Sequence, residues 1–121
     1  MDTARENGEE EVAALLRVAQ PVRTLTVGDE AARANAAREL ENLARNNAHN
    51  KKAIAQAGGI APLIALVRSG ESAGAKENAA GALRNLAVDA DNKKAIAQAG
   101  GIEPLIALVR SGESAGAKEN A

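Results

Sequence analysis

Residues 50–91 read NKKAIAQAGGIAPLIALVRSGESAGAKENAAGALRNLAVDAD, and residues 92–121 read NKKAIAQAGGIEPLIALVRSGESAGAKENA. The second stretch copies the first 30 letters of the first at 29 positions, and the single difference is Ala61 against Glu103. The sequence therefore repeats with a period of 42 residues. A fixed period of this size is typical of a solenoid, in which each unit buries its apolar residues only against neighbouring units.

Each unit is predicted to contain three helices, because glycine and proline divide it into three segments with helical spacing of apolar residues. The first helix covers about residues 50–57 and ends at Gly58-Gly59, where glycine adopts the left-handed conformation at no steric cost. The second covers about residues 61–68, and the third about residues 72–88. No segment alternates with period two, so no strand is expected.

The core of the unit is predicted from the same spacing. The chain has no Phe, Trp, Tyr or Cys, so its core consists of small and aliphatic side chains and it contains no disulfide or thiolate metal site. The residues expected to face inward are Leu63, Ile64, Leu66 and Val67 in the second helix and Ala75, Ala79, Ala82, Leu83 and Leu86 in the third.

Residues 1–49 are predicted to form an N-terminal capping or partial unit. A helix over residues 9–19 is expected to end or kink at Pro21, which cannot donate a helical hydrogen bond. A second helix over residues 29–45 contains NAARELENLA, the counterpart of NAAGALRNLA at 78–87. The residues expected to pack inward are Val12 (in the position of Ile60), Leu15, Leu16, Ala19, Leu25, Val27, Ala36, Leu40 and Leu43.

The third unit, residues 92–121, is predicted to contain the first two helices of a repeat and the start of the third. Its apolar residues Leu105, Ile106, Leu108 and Val109 are then expected to lack a covering helix and to form a surface for self-association into a homo-oligomer. The near-identity of the two copies also favours an engineered sequence or a very recent duplication, and both interpretations stay open.

The order of a short, a medium and a long helix, with a glycine turn after the first and a proline opening the second, resembles the armadillo repeat. The phrases that carry the resemblance are NKKAIAQAGGI, PLIALVRSG and NAAGALRNLA. HEAT repeats are related but have two helices per unit, so the extra short helix argues against them. The resemblance implies an all-α fold, a right-handed α-solenoid.

The resemblance also implies an interaction surface, because the third helices of armadillo proteins line a concave groove in which an asparagine holds the backbone of an extended peptide. The family's tryptophan, four residues before that asparagine, is replaced here by Gly81 and Arg38, so a receptor for basic localisation signals is not expected. An alternative is that these asparagines bond to neighbouring loops or helix ends. The candidate groove residues are Asn35, Arg38, Asn42, Asn78, Gly81, Arg84, Asn85 and Asn120.

No constellation for catalysis is visible in the sequence. His49 is the only histidine and has no nucleophile in register with it, so we expect no enzyme, no cofactor and no metal. The net charge of −1 predicts no general attraction to nucleic acid or membrane. The first ten residues are polar and acidic, and we expect a cytoplasmic or nucleocytoplasmic location.

Overall fold

The computed structural model describes the backbone of residues 3–70 and 72–119 and the side chains of residues 8–70 and 72–110. Within these residues the chain forms seven helices and no strand, as the period-42 pattern predicts. The helices are α1 (Thr3–Val27), α2 (Glu30–Ala44), α3 (Ala48–Gln56), α4 (Ile60–Ser69), α5 (Ala73–Leu86), α6 (Ala90–Gln98) and α7 (Ile102–Glu119).

The helices pack as successive layers of an α-solenoid. Helices α3, α4 and α5 form one unit, and α6 and α7 begin the next. Helix α5 makes its most extensive contacts with α2 of the preceding unit and with α4 of its own unit. The third helices of neighbouring units therefore lie side by side, with the second helices beneath them.

The inward face predicted for the second unit is confirmed. Every residue predicted to be buried in α4 and α5 is buried, and Leu63, Ala79 and Leu86 are fully inaccessible. Ser72 caps α5, because its side chain accepts a hydrogen bond from the backbone N–H of Ala75 at 3.0 Å. The cap satisfies one of the free N–H groups at the helix start.

The paired glycines fix the turn between the first and second helices of each unit. Gly58 has φ of +83° and Gly100 has φ of +82°, a conformation that side chains with a Cβ rarely adopt. The next glycine of each pair packs against the preceding unit. A Cβ added to Gly101 would lie 2.7 Å from Cγ2 of Ile96 in its own unit and 3.0 Å from Cδ1 of Ile64 in the preceding unit, so a larger residue at this position would collide with both side chains.

The prediction of which residues of α1 face inward is wrong. Val12 is 58% and Leu16 74% exposed, and Ala19 and Val27 are exposed as well. The buried residues of α1 are Ala14, Val18, Pro21, Val22 and Leu25. Val18, and not Val12, takes the position of Ile60, because Val18, Pro21, Val22 and Leu25 each precede a buried residue of α4 by 42 positions.

Pro21 does not end the first helix, which runs without a break from Thr3 to Val27. The prediction of a helix end at this residue is therefore wrong. Proline removes one backbone N–H from the helical ladder, but Pro21 is buried in the position that Leu63 occupies in α4. Its ring thus contributes to the apolar face that packs on the second unit.

The third unit also differs from its prediction, since α7 continues from Ile102 to Glu119. The same letters, RSGESAGAKE, contain the end of α4 and the start of α5 in the second unit. In that unit the separate third helix is held by Leu83 and Leu86, which are buried.

Identical residues consequently have very different environments in the two units. Ile64 is 3% exposed and Val67 4%, whereas their copies Ile106 and Val109 are 46% and 60% exposed. Leu105 and Leu108 are half-buried, while Leu63 and Leu66 are buried. Of the four apolar residues named for the third unit, Ile106 and Val109 are thus exposed, and Leu105 and Leu108 are partly covered.

Two asparagines are the buried polar residues of the described core. Asn50 and Asn92 are each 4% exposed. Nδ2 of Asn50 donates to the carbonyl oxygen of Leu43 at 2.8 Å, and Oδ1 accepts from Arg17 at 3.2 Å. Nδ2 of Asn92 donates to the carbonyl oxygen of Lys51 at 3.1 Å. These bonds connect consecutive helical layers.

Replacing Asn50 by alanine is expected to lower the free energy of unfolding by about 1–3 kcal/mol, because the part-buried carbonyl oxygen of Leu43 loses the carboxamide that donates to it. Urea denaturation followed by far-UV circular dichroism measures the change. Gln56→Ala, at an exposed position of the same helix, is the control and should stay within about 0.5 kcal/mol. A loss for Asn50→Ala no larger than the control would contradict a structural role for this carboxamide.

A second test uses the repeat itself as its control. Ile64→Ala is expected to cost about 2–5 kcal/mol, as deletions in a closed core do. Ile106→Ala occurs in the same local sequence but at an exposed site, so its cost should be about 1 kcal/mol or less. Equal losses in urea denaturation would show that the third unit is covered in solution.

Candidate functional site

The predicted groove residues lie on α2 and α5, the two helices that run side by side. Asn35, Arg38 and Asn42 on α2 and Arg84 on α5 are exposed, whereas Asn78 and Asn85 are half-buried. Gly81 is buried beneath Glu41, although it also lines the groove between α5 and α7 described below. Asn120 lies outside the described residues. We call the exposed part of α2 and α5 around Asn42 and Asn85 the α2–α5 surface.

The asparagines of α5 bond to the preceding unit. Nδ2 of Asn78 donates to the carbonyl oxygen of Ala34 at 3.1 Å, and Nδ2 of Asn85 donates to that of Glu41 at 2.9 Å. Both carbonyls belong to α2, so the two bonds join neighbouring third helices. This arrangement agrees with the alternative of bonds between neighbouring elements, and it leaves Oδ1 of Asn85 as an acceptor.

The asparagines of α2 are placed differently. Oδ1 of Asn35 accepts a hydrogen bond from Arg38 at 3.2 Å. Asn42 is exposed, and none of the hydrogen bonds described for residues 8–70 and 72–110 involves its carboxamide. Asn42 and Asn85 are equivalent positions of neighbouring helices. Their carboxamides therefore differ mainly in whether the donor group already has a protein partner.

Gly81 occupies the family's tryptophan position and receives the side chain of Glu41 from α2. A Cβ added to Gly81 would lie 2.6 Å from Cδ of Glu41, so the carboxylate lies directly over the glycine. Glu41 is also 3.8 Å from Arg45, one helical turn away. A carboxylate thus lies where an aromatic wall is expected, a feature that sequence reasoning missed.

An open groove lies between α5 and α7. It has a volume of about 510 Å³, and Ala80, Leu83, Ala87, Ile96, Leu105, Leu108 and Val109 give it an apolar floor. Glu41, Glu77 and Arg84 lie at its edges. We call it the C-terminal groove. The sequence prediction found Leu105, Leu108 and Val109 but missed Ala80 and Ala87, although both have buried counterparts in α2.

The single difference between the two copies has a local electrostatic effect. Glu103 lies in the first turn of α7, where a carboxylate stabilises the positive end of the helix dipole. It lines a cleft of about 340 Å³ together with Arg68 and Lys76. Ala61 lies in the equivalent cleft of the preceding unit. The exchange therefore adds a negative charge beside two cations.

Among the described residues, no group of three His, Cys, Asp or Glu side chains is placed to hold a metal ion. No helix formed by these residues is both long and apolar enough to cross a membrane. The surfaces that distinguish this part of the chain are the α2–α5 surface and the C-terminal groove.

Comparison with known proteins identifies the repeat. Residues 47–88 match the family model of the Armadillo/beta-catenin-like repeat. The match begins at the N-cap of α3 and ends two residues after α5, so it covers one complete unit. Comparisons with curated proteins and with solved structures gave no match. The matched unit is therefore similar to the armadillo repeat, and residues 92–121 copy residues 50–79 of that region at 29 of 30 positions.

Proposed function

We propose that the chain is a protein-interaction module that binds an extended peptide of a partner along the α2–α5 surface. Armadillo repeats generally act as protein-interaction scaffolds, which supports the coarser part of the proposal. The observation that carries the finer part is the exposed carboxamide of Asn42, which lies beside α5 with no described partner. Binding to a cytoplasmic or nucleocytoplasmic partner belongs to the same proposal.

The chemistry of the surface suits a peptide backbone. A carboxamide offers a donor and an acceptor together, which matches the C=O and N–H groups of an extended chain. Asn42 has its whole carboxamide available for a ligand, whereas Asn85 already donates one of its two Nδ2–H groups to the carbonyl oxygen of Glu41. Arg38 and Arg84 are exposed on the same two helices, so acidic side chains in the peptide are favoured.

Asn42→Ala tests this proposal with peptides selected from a displayed random library against the whole chain. We expect the variant to bind a selected peptide about thirtyfold more weakly, because two hydrogen bonds of about 1 kcal/mol each are lost. Isothermal titration calorimetry measures the affinity, and circular dichroism should show unchanged helix content. Asn42 is the better position to test, since Asn85→Ala would also break a bond to α2.

Gln98→Ala is the matched control, because Gln98 is an exposed carboxamide on α6 away from the α2–α5 surface. Its affinity for the peptide should equal that of the unchanged chain. Equal binding by Asn42→Ala and Gln98→Ala would contradict the peptide-binding role of this surface.

Self-association is a second candidate function, supported by the apolar face formed by Leu105, Ile106, Leu108 and Val109. Ile106 and Val109 are 46% and 60% exposed although their copies are buried. Contiguous apolar surface of this kind is typical of protein contacts. A second copy that covers the face would bury residues that the chain itself leaves in water.

The mass in solution tests this candidate by size-exclusion chromatography with light scattering over a tenfold range of concentration. Self-association predicts a mass that rises above 12.3 kDa as concentration increases, because contact between apolar faces is concentration-dependent. Ile106→Glu should restore the monomer, whereas Leu16→Glu, at an exposed residue of α1, should leave the association unchanged. A constant mass of one chain would exclude self-association in this range.

A further inference from the structure

The C-terminal groove is the unfilled equivalent of the site in which α5 lies. Helix α5 packs between α2 and α4. A shift of one unit converts α2 into α5, since Asn35 and Asn42 correspond to Asn78 and Asn85. The same shift converts α4 into α7, since Leu63 and Leu66 correspond to Leu105 and Leu108. The groove between α5 and α7 therefore repeats the groove that α5 fills.

Burial supports this equivalence residue by residue. Ala37 and Ala44 are fully buried on α2, and their counterparts Ala80 and Ala87 are half-buried and line the C-terminal groove. On the other wall, Val67 is 4% exposed and its counterpart Val109 is 60% exposed. The two walls of the C-terminal groove, α5 and α7, are thus more exposed at the positions where α2 and α4 are buried. In α2 and α4 those positions are covered by a single helix, α5.

The polar contacts of α5 define the recognition chemistry further. Asn78 and Asn85 donate to the carbonyls of Ala34 and Glu41. The counterparts of these two acceptor residues are Glu77 and Arg84, and both line the C-terminal groove. A helix bound there with asparagines seven residues apart would donate to the carbonyls of Glu77 and Arg84.

We propose that the C-terminal groove binds an amphipathic α-helix with the pattern of α5, an alanine- and leucine-rich stripe flanked by two asparagines seven residues apart. The partner class is thus a third helix of an armadillo repeat presented by another polypeptide. The inference concerns a different surface from the peptide-binding proposal. It shares residues with the self-association candidate, but it specifies the ligand and applies equally to a monomeric chain.

The local charge of the two grooves differs at one point. Glu41 lies over Gly81 in the filled groove, and its counterpart in the C-terminal groove is Arg84. The guanidinium of Arg84 would therefore lie beside the residue of the bound helix that corresponds to Gly81, where the filled groove has the carboxylate of Glu41. An acidic side chain at this point of the ligand is favoured over a basic one.

The test is a titration of the whole ¹⁵N-labelled chain with a synthetic peptide that copies residues 73–88, AGAKENAAGALRNLAV. NMR suits the system because the chain has no aromatic residue for fluorescence. We expect shifts of the amide signals of Ala80, Ala87 and residues 105–109. A peptide with Asn78→Ala and Asn85→Ala should bind about fivefold more weakly for each asparagine lost.

This comparison is stringent because alanine favours the helix more than asparagine does. Weaker binding then reflects lost recognition and not lost helicity. A control peptide with Glu77→Ala and Arg84→Ala, both exposed on α5, should bind within about twofold of the unchanged peptide. On the protein side, Val109→Asp should abolish the shifts and Leu16→Asp should preserve them.

Three outcomes would overturn the inference: shifts that map to α1, equal binding of the peptide without asparagines, or unchanged binding to Val109→Asp. If the chain self-associates at the working concentration, the peptide should lower the mass measured by light scattering, because both ligands occupy one groove. A mass that stays constant at saturating peptide would also overturn it. A monomer that binds the peptide would separate this inference from self-association.

Discussion

The packing of α5 between α2 and α4 is the interaction on which the described core depends. It buries the alanine and leucine stripe of α5 against both helices. With no aromatic side chain in the chain, cohesion comes from many small contacts at close helix separation. Two carboxamide-to-carbonyl bonds from Asn78 and Asn85 then fix the register of α5 on α2. Burial of apolar side chains therefore stabilises the packing of α5, and the two asparagines fix its position along α2.

This division of roles explains why the asparagines contribute less to an open groove than their family position implies. A carboxamide that donates to α2 has one N–H group and its oxygen left. On α2 itself, Asn35 and Asn42 have no described protein acceptor for their Nδ2 groups, although Oδ1 of Asn35 accepts from Arg38. For the proposed peptide binding, the uncommitted donor groups of the α2–α5 surface therefore lie mainly on α2.

The sequence predicted the second unit well because its period, glycine turns and apolar spacing all agree on one arrangement. It failed for α1, where Pro21 suggested a helix end although a buried proline replaces the leucine of α4. It also missed Glu41 over Gly81, because this contact joins residues 40 positions apart with no repeated motif. Ala80 and Ala87 were missed because the spacing of alanines along α5 does not show whether another helix packs on them.

The third unit shows most directly that environment, and not local sequence, determines what a repeat exposes. Ile64 and Ile106 have the same neighbours along the chain except three residues before them, where Ala61 is replaced by Glu103, yet one is covered and the other is open. The difference arises because a solenoid layer closes only when the next third helix lies on it. An uncovered layer retains the shape, the apolar floor and the carbonyl acceptors of a covered one. The specificity that we propose for a helix thus follows from the fold, without any residue dedicated to binding.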